Sequence, residues 1–422
     1  MAIRGFHYTL SGCVVAALLA GCVLRQAQDD TQPPLATAAT MVPNASSSSY
    51  KVLYRFSQNE PAADGHPLAG LINVSGTLYG TTYGSLKDDG TVFSISTTGA
   101  HKTLHRFQGS HDGDEPMALL LGVNDTLYGT TFYGGSSGYG VVFSVTTAGA
   151  ENIVHHFAGG SDGAHPQGAL IDVNGTLYGN TSNGGGSGCK ITSLIVGCGT
   201  VYTISASGAE NVLYRFSGKP DGSWPTAALL DVNGTLYGVT ANGGDSSCGC
   251  LGTVYSISAA GAEKVLHSFT GTPDGATPNS PLIDVNGTLY GTTTGGGASG
   301  YGTVYSISTA GTEKVLYSFA GGSSDGIDPG RALLDVNGLL YGTTFNGGPT
   351  RCDIGGVKGC GTLYSITTGG VEKVLHFFSG SSDGSIPQGD LLNVNGVLYG
   401  TTAWGGTSKG HRAGGTVFEI TP

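Results

Sequence analysis

From residue 51 onward, apolar and polar residues alternate in short runs, and each run stops at a glycine or an asparagine. One stretch carries the whole pattern. Residues 166–173 are β-rich, Asn174-Gly175 interrupts them, and Thr176-Leu177-Tyr178-Gly179-Asn180-Thr181 resumes the run. Two such runs split by Asn-Gly predict a two-residue type I′ hairpin. A glycine-rich loop follows, then residues 199–204, a small turn at Ser207-Gly208, and residues 210–216. Each run reads as a strand, so the unit predicts four consecutive antiparallel strands. Residues 218–222 then turn the chain toward Pro225, where the unit starts again.

Leu-Tyr-Gly marks every copy of the unit. It begins at residues 78, 127, 177, 236, 289, 340 and 398, with successive spacings of 49, 50, 59, 53, 51 and 58. A period near 50 with strand content marks a repeat architecture. Asn-Gly returns at 233, 286, 337 and 395, while Ser75-Gly76 and Asn124-Asp125 stand in its place in the first two copies. Four antiparallel strands in each of seven copies predict an all-β, seven-bladed β-propeller around a central channel. A β-solenoid is the alternative, but solenoid coils stack parallel strands and the hairpins force antiparallel neighbours. The repeats open with a lone strand of the fourth type, 51–56, and finish with one of the third type, 415–420. The N-terminal strand is therefore expected to complete the last blade and remove an open sheet edge.

Composition fits that picture. Of 422 residues 75 are Gly, yet 39% are hydrophobic and 20 are Tyr, which argues for a packed, turn-rich β protein. A net charge of −11 with 18 scattered Lys and Arg gives no basic stripe, so no nucleic-acid partner is expected. The first 21 residues read as a lipoprotein signal peptide. Arg4 is followed by an apolar run over 10–20, which ends in Leu19-Ala20-Gly21-Cys22, the form of a lipobox. A plain secretory signal is the other reading. On the first, Cys22 carries the lipid, Cys13 leaves with the signal, and the chain is an exported, membrane-anchored lipoprotein of the cell envelope. The apolar run is too short for an ordinary transmembrane helix. Residues 22–50, rich in Gln, Thr, Pro, Ala and Ser, read as a disordered linker reaching about 30 Å. The propeller spans 51–422.

The string Asp-Val-Asn-Gly-Thr-Leu-Tyr-Gly-Thr-Thr at 284–293, then Gly-Thr-Val-Tyr-Ser-Ile at 302–307 and Glu-Lys-Val-Leu-Tyr-Ser-Phe at 313–319, resembles the GloVer tandem repeat. That repeat is named for Gloeobacter and Verrucomicrobia. The resemblance covers 51–422 and implies tandem repeats joined to a surface anchor, for which the lipobox would serve. It implies no activity and transfers no catalytic residue.

Residues that recur with the repeat read as architecture. Asp-Gly recurs at Asp64, Asp112, Asp162, Asp221, Asp274, Asp325 and Asp383. Calcium binding is one reading, but local turn chemistry accounts for one such pair per blade. His105, His155, His267 and His376 stand two residues before a strand-ending Phe, where Tyr54, Tyr214 and Tyr317 stand in other copies. Lying in different blades they cannot converge on one metal, and a structural role is expected. No metal site, cofactor or catalytic residue is expected. Nothing matches a nucleophile–base pair, a zinc-binding helix motif or a phosphate loop.

Residues that break the repeat are more informative. Cys189 and Cys198, Cys248 and Cys250, and Cys352 and Cys360 fall between the second and third strands of the third, fourth and sixth blades. In an exported chain they predict disulfides. Cys189–Cys198 and Cys352–Cys360 would close short loops, worth about 2–3 kcal/mol each. Cys248–Cys250 would be strained, which leaves a cross-blade link open, and zinc is the alternative to disulfides. These loops and the Asp-Gly turns should share one rim, where Tyr133, Trp224, Arg351, Asp353, Trp404, His411 and Arg412 are the exceptions. Exposed aromatics beside glycine turns suit a carbohydrate or peptide ligand, although Trp224 could equally pack between blades. The expectation is a monomeric binding or interaction module tethered to the membrane. The alternative is a secreted propeller enzyme, a lyase or glycan-active hydrolase, with its site on the same face.

Overall fold

The computed structural model describes residues 49–57, 65–84, 89–186, 188–189, 196–205, 208–245, 251–350, 352, 359–406 and 414–422. Seven antiparallel blades stand around one axis. In the first, the strands are Ile72–Val74, Thr77–Thr82, Thr91–Ile95 and His101–Arg106, in sheet order. The short first strands of neighbouring blades approach one another at the centre, and Ile72–Val74 meets Leu392–Val394 to complete the ring. Fourth strands are outermost. The seventh blade takes its own from the other end of the chain: Ser49–Arg55 pairs antiparallel with Thr416–Thr421, from Ser49↔Thr421 to Arg55↔Thr416. That strand begins two residues earlier than the alternation alone places it.

The hairpin between first and second strands follows the expected chemistry. In six blades both central residues have positive φ, as in Asn286 (55°) and Gly287 (82°), which only Asn and Gly adopt readily. The second blade departs, with Asn124 alone left-handed. The Asp or Asn three residues before the glycine closes the turn, as where Gly287 N donates to Asp284 Oδ1 at 2.8 Å. This explains the Asp-Val-Asn-Gly string.

Leu-Tyr-Gly is explained by the pleat. Successive side chains on a strand point to opposite faces, so Leu faces the preceding blade and Tyr the following one. Leu78 packs with Phe56 and Val417 across the seam between blades seven and one, while Tyr79 packs with Leu127 and Phe143 across the next. The glycine leaves room for the aromatic ring of the third strand. A Cβ at Gly80, Gly129, Gly179, Gly238, Gly291, Gly342 or Gly400 would stand within 2.8 Å of Phe93, Phe143, Tyr202, Tyr255, Tyr305, Tyr364 or Phe418 respectively. Each of those rings meets, edge to face, the strand-ending Phe of the preceding blade; Phe269 and Tyr305 are 5.1 Å apart and Phe56 and Phe93 are 5.2 Å apart. Such pairs add about 0.5–1.5 kcal/mol beyond their buried area. Buried threonines join second to third strands, as Thr293 to Thr303 at 2.8 Å. Third and fourth strands carry one β-bulge in every blade.

The Asp-Gly residues do serve the turn. Asp274 Oδ2 accepts the Thr270 N–H at 2.9 Å, and Asp112, Asp162, Asp221, Asp325 and Asp383 do the same for their own turns. Asp64 lies outside the described residues. Each Asp also faces the His or Tyr of its strand: His105 Nε2 stands 2.9 Å from Asp112 Oδ2, and Tyr214 Oη donates to Asp221 Oδ2 at 3.0 Å. A glutamate from the next blade, Glu151, Glu210, Glu263, Glu313 or Glu372, joins the seam. Burial, then the charge of Asp162, Asp221, Asp274 or Asp325, pushes Glu210, Glu263, Glu313 and Glu372 up to about 7. Burial alone would raise Asp162, Asp274 and Asp383, but the adjacent imidazoles and backbone N–H groups outweigh it and hold them low.

Two measurements check this account. Removing residues 49–56 uncovers the edge of Thr416–Thr421, and the truncated chain is expected to aggregate or to melt at least about 10 °C lower. An unchanged melting curve would argue against a closed ring. The seam glutamates bind protons more tightly in the folded chain, so their stabilisation is full below about pH 4.5 and is lost as pH rises through about 7. The lowered aspartates act oppositely, losing theirs as pH falls below about 3.8. His66 and His165, lowered by burial, also oppose the glutamates below about 6.5, but they are two against four. Tm should therefore rise by several degrees from about pH 8.5 to about 5.5, then fall below about 4. Glu263→Gln should flatten part of the rise, and a Tm that falls steadily from 8.5 would refute the assignment.

Candidate functional site

Each blade enters its first strand through a segment that begins with proline and ends with leucine, such as Pro166-Gln167-Gly168-Ala169-Leu170. The seven segments stand shoulder to shoulder around the axis. A Cβ on Gly168 would reach the Ala227 carbonyl at 2.8 Å, and one on Gly389 the Ala69 carbonyl at 2.9 Å, so the third position is kept small. Together they line a channel mouth of only about 40 Å³. Two charged residues break the small-residue pattern there. Arg331 occupies the third position of the sixth blade, and Asp390 the fourth position of the seventh.

Arg331 and Asp390 are both crowded by protein. Burial lowers the Arg331 guanidinium, opposed by the charge of Asp390, and raises the Asp390 carboxyl, opposed by Arg331 and by the Ala332 N–H at 3.0 Å. Arg331 Nε is buried without a hydrogen-bond partner, and Cζ lies 5.4 Å from the centre of the Phe345 ring. Gln167, Thr226, Asn279 and Gln388 add polar groups to the lining, with Thr226 Oγ1 donating to Asn279 Oδ1.

A second ring surrounds this mouth. The residue before each proline is His66, Glu115, His165, Trp224, Thr277, Asp328 or Ile386, and all seven have φ between 53° and 62°. A residue before proline ordinarily prefers extended backbone, so each carries strain. The segment just after the second strand holds them in place. Tyr83, Phe132, Ala241, Phe345 and Ala403 donate their N–H to the carbonyls of His66, Glu115, Trp224, Asp328 and Ile386, at 2.9–3.1 Å. Side chains add to the ring: Tyr83 Oη donates to Glu115 Oε1 at 2.6 Å, and the His66 ring lies tilted against Trp404 with centroids 4.0 Å apart. His165 stacks 4.7 Å from Phe132, with Tyr133 edge-on at 5.1 Å.

Burial lowers His66 and His165, whose Nδ1 atoms donate to the Ala403 and Phe132 carbonyls. It raises Asp328 to about 6 against a hydrogen bond from Asn346, and Tyr133 to about 12 with help from Glu115 and Asp114. His66 and His165 are themselves buried beneath this face, which presents aromatic rings, amides and the carboxyls of Glu115 and Asp328 around Arg331 and Asp390.

Tyr133, Trp224 and Trp404 all fall on this face, each partly accessible, and Trp224 belongs to the pre-proline ring. Two expected disulfides, Cys189–Cys198 and Cys352–Cys360, close loops on the same rim. The carbonyls of Cys198 and Cys360 accept the N–H of Trp224 and Ile386 at 3.0 and 2.9 Å, so each bridge braces a pre-proline residue of the next blade. Cys22, Cys248, Cys250, Arg351, Asp353, His411 and Arg412 lie outside the described residues. Arg331 and Asp390, and the pre-proline residues apart from Trp224, match no catalytic or binding motif in the sequence. Comparing the blades at fixed offsets from each proline would have found them. An open groove of about 390 Å³ on the opposite face, between blades two and three, is lined largely by recurring residues such as Tyr128, Asp172 and Leu177.

Several solved structures align with most of this chain at low identity. PorZ, a surface component of the type-IX secretion system of Porphyromonas gingivalis, aligns with 86% of this chain at 14% identity and a TM-score of 0.49. The present chain spans about half of PorZ, 47% of its length. The endosialidase of phage phi92 aligns with 89% at 10% identity and 0.45, covering 68% of that chain. A gluconolactonase from Xanthomonas campestris aligns with 86% at 12% identity and 0.41, covering 99% of that chain. No curated protein sequence matches. The Gloeobacter/Verrucomicrobia repeat matches residues 37–190 and 192–353, which is most of the chain, and the protein belongs to that repeat family.

Proposed function

We propose that this propeller is an exported binding module of the cell envelope, anchored through Cys22, which holds a carbohydrate ligand against the face around its channel mouth. One observation carries the reading. Seven backbone positions of positive φ surround the mouth and none is glycine, in a chain with 75 glycines. Left-handed strain costs about 1–3 kcal/mol at each such residue and gathers at functional sites. Thr277 and Ile386, which are β-branched, are the least suited of all. Side chains are retained where glycine would relieve the backbone, and they vary from blade to blade; His66, His165 and Ile386 are buried and support the face, while Glu115, Trp224, Thr277 and Asp328 are partly accessible on it. Trp404, Trp224 and Tyr133 supply flat apolar faces for sugar rings.

A secreted enzyme is the second reading, favoured by Arg331 beside Asp390. The mouth measures about 40 Å³, whereas enclosing sites run to about 300–1,000 Å³. A sugar could rest over it but not sink in, and binding is the better fit.

Glycan and peptidoglycan arrays probed with the purified protein should show retention. Trp404→Ala and Tyr133→Ala should each weaken it by at least about tenfold, the size of an interface hot spot, with Tm nearly unchanged. Product analysis of bound glycans should find no turnover. Cleavage abolished by Asp390→Asn would establish the enzyme instead, and selective retention of peptides would replace the sugar. Metabolic labelling with a fatty acid should mark the wild-type chain and not Cys22→Ser. Equal labelling of both would remove the anchor.

A further inference from the structure

The His, Asp and Glu at the blade seams are not equivalent from seam to seam. Where the outer strand carries Tyr214, its hydroxyl lies between the two carboxylates, 3.0 Å from Asp221 Oδ2 and 3.4 Å from Glu263 Oε2. Where it carries His155 or His267, the shorter imidazole leaves that position open. His155 Nε2 stands 3.4 Å from Asp162 Oδ1 and forms no hydrogen bond, while His267 Nε2 stands 3.1 Å from Asp274 Oδ2; Oε1 of Glu210 and Glu313 is buried without a partner, as it is for the glutamates of the tyrosine seams. In both seams one imidazole nitrogen and one oxygen from each of two carboxylates lie within 4.8 Å of one another.

We propose that these two seams are divalent transition-metal sites, His155–Asp162–Glu210 between blades two and three and His267–Asp274–Glu313 between blades four and five, with zinc as the fitting ion. One nitrogen and two carboxylate oxygens form a three-ligand zinc set, completed by water. Zinc–ligand bonds of about 2.0–2.2 Å require the donors to draw together by about an ångström. Two carboxylates balance the charge of the ion, and the imidazole selects a transition metal over calcium. The side chains of His155, Asp162, His267 and Asp274 retain 14–22% exposure, which leaves a route in from solvent. The other histidine seams differ. Among the described residues no His, Asp and Glu donors come within the same reach around His105, and His376 is covered by the Tyr50 ring at 4.0 Å.

The test titrates the chelator-stripped full chain with zinc chloride at neutral pH, following heat and melting temperature. Two equivalents should bind with micromolar or tighter affinity and raise Tm by a few degrees, while calcium chloride does neither. His155→Tyr and His267→Tyr place at each seam the residue that other blades carry there, so both variants should fold. Each should lose one equivalent, and the double variant both. Cobalt should give the visible absorption of a low-coordinate site in the wild type and not in the double variant. Absence of saturable uptake in the wild type, or undiminished uptake by the double variant, would overturn the proposal.

Discussion

The ring that lies across the glycine of Leu-Tyr-Gly ties every level of this protein together. It belongs to the third strand, presses on the second through the missing Cβ, and receives the edge of a phenylalanine from the neighbouring blade. A larger residue at that glycine would lift the ring off its own sheet and break the contact with the next. The same glycine thus sets the packing within a blade and the spacing between blades. Phe serves in blades one, two and seven and Tyr in the remaining four, so the fold requires ring shape more than the hydroxyl. The tyrosine hydroxyls at Tyr202, Tyr255, Tyr305 and Tyr364 are buried without partners.

Because these contacts run between blades, the hydrophobic interior is divided into seven seams instead of one core. Five of the seams join an apolar layer inside to a His or Tyr, Asp and Glu cluster near the perimeter. The mouth follows the opposite logic. There the small residues that let seven segments meet are the constant part, and the variable part stands on strained backbone around them.

Much of the fold is legible in the sequence because its rules are local. Asn-Gly states a hairpin, alternation states a strand, and a missing fourth strand at one end answers a spare one at the other. The two short Cys loops follow from spacing and compartment. The site is harder to read, since its members meet through the ring. Arg331 and Asp390 are near in space only because blades six and seven are neighbours. Positive φ before proline contradicts the usual preference of such residues and leaves no mark in composition. Glu210 opens a strand as an ordinary exposed polar residue would, and its partner His155 lies a whole repeat earlier. Arg351, Asp353, His411 and Arg412 depart from the repeat in the same loops as the cysteines and the tryptophan, but lie outside the described residues.

The N-terminal strand also has a direction. Ser49 pairs with Thr421 at the hairpin-turn end of the seventh blade, and Arg55 pairs with Thr416 at the end that carries the mouth. The polypeptide therefore enters the ring from the side opposite the strained residues and the aromatics. Under the proposed anchor at Cys22, the point of attachment would lie on the underside, so that strand polarity keeps the tether clear of the mouth and leaves that face free for a ligand.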